Sequence, residues 1–105
     1  MDHWPLSLDW LERETAARDQ SWRASQAIWK VTRGRITDKP SAWLDLDTPT
    51  ASGQLIVWVS GEAEMVWGPL PPAGQDVQQE HYELTGPEGL RWCLDDLETR
   101  LGLRP

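Results

Sequence analysis

The chain has 105 residues with a formal net charge of −7, and eight of its residues are tryptophan while none is phenylalanine. A chain of this length forms one domain, 1–105, and its acidic balance argues against binding to nucleic acids or anionic membranes, which favour basic surfaces. Its longest apolar run, Leu55–Val59, is far short of the roughly 20 residues that cross a bilayer. With a single cysteine and no export signal in its first residues, the protein is expected in the cytoplasm.

The first predicted element is one long amphipathic helix from Ser7 to about Thr32. Ser7 suits the N-cap, and Gly34 is a suitable residue to end the helix. Glu14 and Arg18 have the i,i+4 spacing of an ion pair on one helix. The apolar face is predicted from residues that recur at helical spacing, namely Trp10, Leu11, Ala17, Trp22, Ala24, Ile28, Trp29 and Val31.

A strand is predicted at Ser41–Thr48, where side-chain character alternates. Two sets of residues are expected on opposite faces of this strand: Ala42, Leu44 and Leu46 on one, and Trp43, Asp45 and Asp47 on the other.

The clearest hairpin pairs Gln54–Ser60 with Glu62–Trp67 through a two-residue turn at Ser60 and Gly61. In that register the helix-facing side is wholly apolar and consists of Ile56, Trp58, Ala63, Met65 and Trp67. The other side then mixes Leu55, Val57, Val59 and Val66 with Glu62 and Glu64. A three-residue turn would overturn this assignment, because a shift of one residue moves every side chain to the opposite face.

The C-terminal part is predicted to add a short strand and a second helix. The strand, His81–Leu84, starts near Val77 after a proline-rich connection over 68–74. Pro87 begins a helix that runs to about Leu101 and carries an apolar stripe of leucines with Cys93 beside it. The element order predicts an α+β domain, in which the long N-terminal helix and the C-terminal helix pack on one face of a three- to four-stranded antiparallel sheet.

No group of residues in the chain has a pattern typical of catalysis or of a metal site. His81 lacks the positioned partner of a general base and the further ligands of a zinc site. Cys93 is predicted to be a core residue. Two carboxylate pairs, Asp45 with Asp47 and Asp95 with Asp96, lack the spaced ligand loop that binds calcium. We therefore expect no enzymatic activity, no metal and no cofactor.

The sheet face away from the helices is predicted to bind a protein partner with a basic surface. An apolar centre inside an acidic rim has the composition of such an interface. The candidate partner-binding residues are Trp43, Asp45, Asp47, Val57, Glu62 and Glu64. The acidic charge also fits a simpler role in keeping a tryptophan-rich domain soluble, and charge alone does not separate the two.

The hairpin sequence Gly53–Glu64, together with Ala42–Leu44 upstream and His81–Leu84 downstream, resembles the TriTu family of bacterial immunity proteins. The positions that carry the resemblance are Trp43, Trp58, Ser60, Gly61 and Tyr82. Members of this family are small cytoplasmic proteins encoded beside polymorphic toxins. The resemblance implies a single-domain antitoxin that binds a cognate secreted toxin or effector and occludes its active site. Such a protein would be a monomer in the absence of toxin.

Two other functional classes remain open at this point. A small acidic secretion chaperone or adaptor for an effector has similar size and charge, and an obligate dimer would favour it over the antitoxin. A small-ligand or enzymatic domain would use His81 and neighbouring carboxylates, and replacing His81 with alanine would test that class.

Overall fold

A computed structural model describes residues 5–35, 38–70 and 77–104, so the second half of the proline-rich connection lies outside the described residues. Its elements, in chain order, are α1 (Leu8–Ala24), β1 (Ile28–Arg33), β2 (Ser41–Asp47), β3 (Ala51–Trp58), β4 (Glu62–Pro69), β5 (Gln78–Glu83) and α2 (Pro87–Arg100). The strands form one antiparallel sheet in sequence order, and both helices pack on one face of it. The α+β fold is confirmed, with five strands in place of three to four.

Helix α1 ends at Ala24, so the expectation of one long helix to Thr32 is wrong. Ser7 caps the helix as predicted and accepts a hydrogen bond from the Asp9 N–H. Beyond Ala24 the chain turns at Gln26, whose φ of 64° lies in the left-handed region, and then returns as edge strand β1. Trp29 in β1 packs edge-to-face on Trp22 at 5.7 Å between ring centroids, which holds the strand against α1.

The core lies between the sheet and the helices, and Gly53 of β3 lies under the end of α2. A Cβ added at Gly53 would come within 2.7 Å of Leu97 Cδ1, so a larger residue there would require the Leu97 side chain to move. The predicted alternation in β2 is confirmed, because Ala42, Leu44 and Leu46 are fully buried. The predicted apolar stripe of α2 is also confirmed, with Leu90, Cys93, Leu94, Leu97 and Leu101 all buried.

The β3–β4 hairpin turns through three residues, 59–61, so the predicted faces of β3 are inverted, whereas those of β4 are confirmed. Leu55 opposes Met65 and Val57 opposes Ala63, and all four side chains are buried against the helices. Gly61 has a φ of 99°, and a Cβ there would lie 2.2 Å from the carbonyl oxygen of Leu84. Glycine is therefore required both by the turn conformation and by the close approach of the chain leaving β5.

Hydrogen bonds and ion pairs of charged side chains connect α1 to α2. Glu98, whose side chain is 8% exposed, accepts hydrogen bonds from Trp22 Nε1 at 2.7 Å and from Arg18 Nη1 at 2.9 Å. Glu14 pairs with Arg91 of α2 at 3.0 Å, so bridges between helices replace the expected pair of Glu14 with Arg18. Neither helix of the described residues has the length and apolar character needed to cross a membrane.

Candidate partner-binding face

The sheet face turned away from both helices is here called the open face. Residues that pair directly across an antiparallel sheet share a face, so the strand registers identify its members. Along the centre runs an apolar strip of partly exposed side chains: Trp43, Ile56, Trp58 and Val66. The carboxylates that flank this strip are Asp45, Asp47, Glu62, Glu64 and Glu83.

All but one of the six predicted binding residues lie on the open face. The exception is Val57, which is fully buried beneath the helices, and its predicted exposed position is wrong. Because the hairpin register is shifted by one residue, Ile56 and Trp58 take the place that the sequence pattern assigned to Val57. The sequence signal for this register is Gly61 at the third position of the loop. Three-residue hairpin loops favour a left-handed backbone conformation at that position, which glycine adopts readily. No partner has been tested against these residues, so their binding role stays a prediction.

Trp58 and Glu62 share one neighbour, Lys39. The Lys39 ammonium lies 5.7 Å from the centroid of the Trp58 ring and forms an ion pair with Glu62. The Ser60 hydroxyl also donates to Glu62, at 2.9 Å. The hydrogen bond from Lys39, supported by that from Ser60, holds the pKa of Glu62 below its ordinary value. Glu62 is therefore ionised at neutral pH, but its charge is balanced within the chain.

His81 of β5 lies between two carboxylates, with Nδ1 against Glu64 and Nε2 against Glu83. The hydrogen bond to Glu64, followed by that to Glu83, raises the pKa of His81 to about 9. At neutral pH the ring is therefore an imidazolium that donates from both nitrogens and has no lone pair for a proton. This arrangement does not suit a general base, and it balances part of the negative charge on the open face.

The carboxylates of β2 are arranged differently. Asp47 Oδ1 accepts from Ser52 Oγ at 2.5 Å, and Asp45 Oδ1 accepts from Gln54 Nε2 at 3.0 Å. In the described part of the chain no cation forms an ion pair with either carboxylate, although Lys30 stands directly across from Asp45. Within the described residues, the partners of these two aspartates are therefore uncharged side chains.

The chemistry of the remaining candidates points away from a reactive centre. Within 5–35, 38–70 and 77–104, no three His, Cys, Asp or Glu side chains are grouped so that they could hold a metal ion. Cys93 is buried, as predicted for a core residue, and its burial raises the pKa of the thiol to about 12. A thiol held in this protonated form is a poor nucleophile.

Comparison with known proteins identifies the family of the chain. Residues 9–98 match the family described as Immunity protein TriTu, and this span includes all five strands and most of both helices. Neither the curated proteins nor the solved structures compared with the chain gave a match. The match covers most of the chain and agrees with the resemblance of its hairpin, so the protein belongs to the TriTu family of immunity proteins.

Proposed function

We propose that this immunity protein binds its cognate toxin directly through the open face and occludes the active site of the toxin. The observation that carries the proposal is the partly exposed apolar strip of Trp43, Ile56, Trp58 and Val66, which neither helix covers. Aromatic and aliphatic side chains at the centre of a surface, with a polar rim around them, have the composition of a protein interface. Membership of an immunity family supports a role in which the protein acts by binding.

The partner in this proposal has a basic surface at the place where it meets the open face. Five carboxylates flank the strip, and the whole chain carries a formal charge of −7. Charges of one sign around an interface speed the encounter with an oppositely charged partner and select against others. Toxins that act on nucleic acids or nucleotides often have basic clefts, which an acidic immunity protein would fill. We place this complex in the cytoplasm, and its formation requires neither metal nor cofactor.

The test is co-expression with the toxin encoded by the neighbouring gene, followed by purification of the complex. We expect a stoichiometric complex, loss of toxin activity in vitro and rescue of host growth. Trp43→Ala, at the centre of the strip, should weaken affinity by about 30-fold or more, as for an interface hot spot. The matched control is Trp92→Ala, because Trp92 on α2 is 69% exposed and lies on the other side of the molecule.

Two results would overturn the proposal. The first is wild-type affinity in folded Trp43→Ala and Trp58→Ala variants, which would exclude the open face as the binding surface. The second is a stable complex in which the toxin remains fully active. That outcome would exclude occlusion and favour the secretion chaperone or adaptor.

A further inference from the structure

One end of the open face has a concave surface. At this end, named here the Asp47 end, β2 finishes beside the first residues of β1 and β3. Three shallow clefts of about 370, 320 and 470 Å³ lie there, and Asp45, Asp47 or both line each of them. Ile28 and Val77, which are 70% and 66% exposed, border these clefts. Exposed aliphatic side chains around concave surfaces are typical of a binding site.

The two ends of the open face differ in charge balance. At the opposite end, the positive charges of Lys39 and His81 already accompany Glu62, Glu64 and Glu83. Those positive charges offset part of the attraction that the three carboxylates would exert on a toxin cation. At the Asp47 end, Asp45 and Asp47 accept one hydrogen bond each from an uncharged side chain. Lys30 lies across from Asp45 and lines the same cleft, but among the described residues no cation, Lys30 included, forms an ion pair with either aspartate.

We propose that the Asp47 end receives an arginine or lysine side chain of the toxin; this inference rests on the proposed function. Long basic side chains lay their aliphatic stems on apolar surface while the charged head reaches a polar group. Ile28 and Val66 line the clefts and offer such a surface, and the aspartates lie beside them. Asp45 and Asp47, rather than Glu62 and Glu64, then supply most of the electrostatic part of the affinity.

The experiment measures the affinity of four variants for the neighbour-encoded toxin at low and high salt. In Asp45→Asn with Asp47→Asn, each side chain keeps the oxygen that accepts from Gln54 or Ser52 and loses only its charge. This double variant should lose at least tenfold in affinity and much of its salt dependence, because it removes the partner of a desolvated cation. Glu62→Gln with Glu64→Gln should lose less than threefold. The two double variants change the net charge equally, and Glu88→Gln, at an exposed site on α2, is the control for loss of a single charge far from the open face.

The outcomes separate this inference from the proposed function, with Trp43→Ala as the reference. If Trp43→Ala abolishes binding while the aspartate variant keeps its affinity and salt dependence, the inference is overturned and the open face remains the interface. An equal or larger loss in the glutamate variant overturns the inference as well. If neither Trp43→Ala nor the aspartate variant affects binding, the proposed function itself fails.

Discussion

His81 illustrates how the fold decides the chemistry of a single residue. Along the chain it stands beside Glu80 and Tyr82, but in the sheet it reaches Glu64 on the neighbouring strand as well as Glu83 on its own. Strand pairing thus converts an isolated histidine into the middle of a three-residue ionic cluster. The imidazole is then a charge-balancing group on the open face, which weakens the sequence-based alternative of an enzymatic domain that uses His81.

We expect the imidazole of His81 to titrate with a pKa of about 9 in the folded protein, compared with an ordinary value of 6.5. Because the folded-state pKa is raised, the ion pairs stabilise the folded state fully below pH 6.5. This contribution is lost as the pH rises through about 9. NMR titration of the ring protons checks the value, and Glu64→Gln with Glu83→Gln should return it towards 6.5. A wild-type pKa near 6.5 would contradict the cluster.

A tryptophan in the core and a tryptophan on the open face should differ in their contribution to stability. Trp22 is 1% exposed in the core, whereas Trp58 is partly exposed on the open face. Trp22→Ala should lower the free energy of unfolding by about 3–5 kcal/mol through lost burial and the cavity left behind. Trp58→Ala should cost less, about 1–2 kcal/mol, because part of the Trp58 ring is already exposed to water. Urea unfolding measures both, and a larger loss for Trp58 would favour the hairpin register expected from the sequence.

At the scale of elements, the two helices depend on each other through charged groups. Glu98 of α2 accepts from Trp22 and Arg18 of α1, and Arg104 beyond α2 adds a contact at 3.0 Å. Separating Glu98 from Trp22 and Arg18 is costly, since these three side chains are mostly removed from water, whereas Arg104 is about half exposed. Arg18 therefore serves the packing of α1 on α2 and not only the surface of its own helix.

Glu98→Ala should lower the free energy of unfolding by about 2–4 kcal/mol, because it leaves the buried Trp22 N–H without an acceptor and removes one of the two carboxylates that bind Arg18. Glu14→Ala is the matched control, since it also removes a bridge from α1 to α2, but to the half-exposed Arg91. That control should cost less than about 1 kcal/mol, as exposed ion pairs do. Equal losses in chemical denaturation would show that the burial of Glu98 is not what matters.

The elements whose structure could be predicted are those that local signals define. Helix α2 has proline in its first turn and an apolar stripe, and β2 alternates without interruption, so both were predicted with nearly correct bounds. Strand β1 was missed because Ile28 and Val31 also fit a helical spacing. Only the hydrogen bonds of β1 with β2 and the contact of Trp29 with Trp22 favour the extended conformation.

At the scale of the whole molecule, the open face and the acidic charge together bear on the oligomeric state. The apolar strip gives copies of the chain a surface on which to associate, while like charges around it oppose the approach of a second copy. Lys39 and His81 form ion pairs with carboxylates at one end of the open face, whereas at the other end Asp45 and Asp47 have Lys30 nearby but form no ion pair with it. We expect the repulsion between copies to outweigh their apolar association, so that the open face stays exposed until a basic partner binds.

We therefore expect a monomer of 12.0 kDa in the absence of toxin at physiological ionic strength. Sedimentation equilibrium measures the mass, and small-angle scattering should give a radius of gyration close to the 13.6 Å of the Cα atoms. High salt should promote any self-association, because it screens the repulsion between open faces. An obligate dimer at low micromolar concentration would contradict this prediction and favour the secretion chaperone or adaptor.

The amino-acid sequence by itself determined the α+β class, the C-terminal helix, the alternation of β2, the acidic balance and the family resemblance. Each of these depends on residue type or on spacing within one element, so interactions between residues that are close in the sequence are enough to define it. The tertiary structure alone decided where α1 ends, that Ile28–Arg33 is a strand, and that Val57 is buried while Trp58 lies on the open face. Those outcomes depend on pairing across strands, where a shift of one residue exchanges the two faces of a sheet.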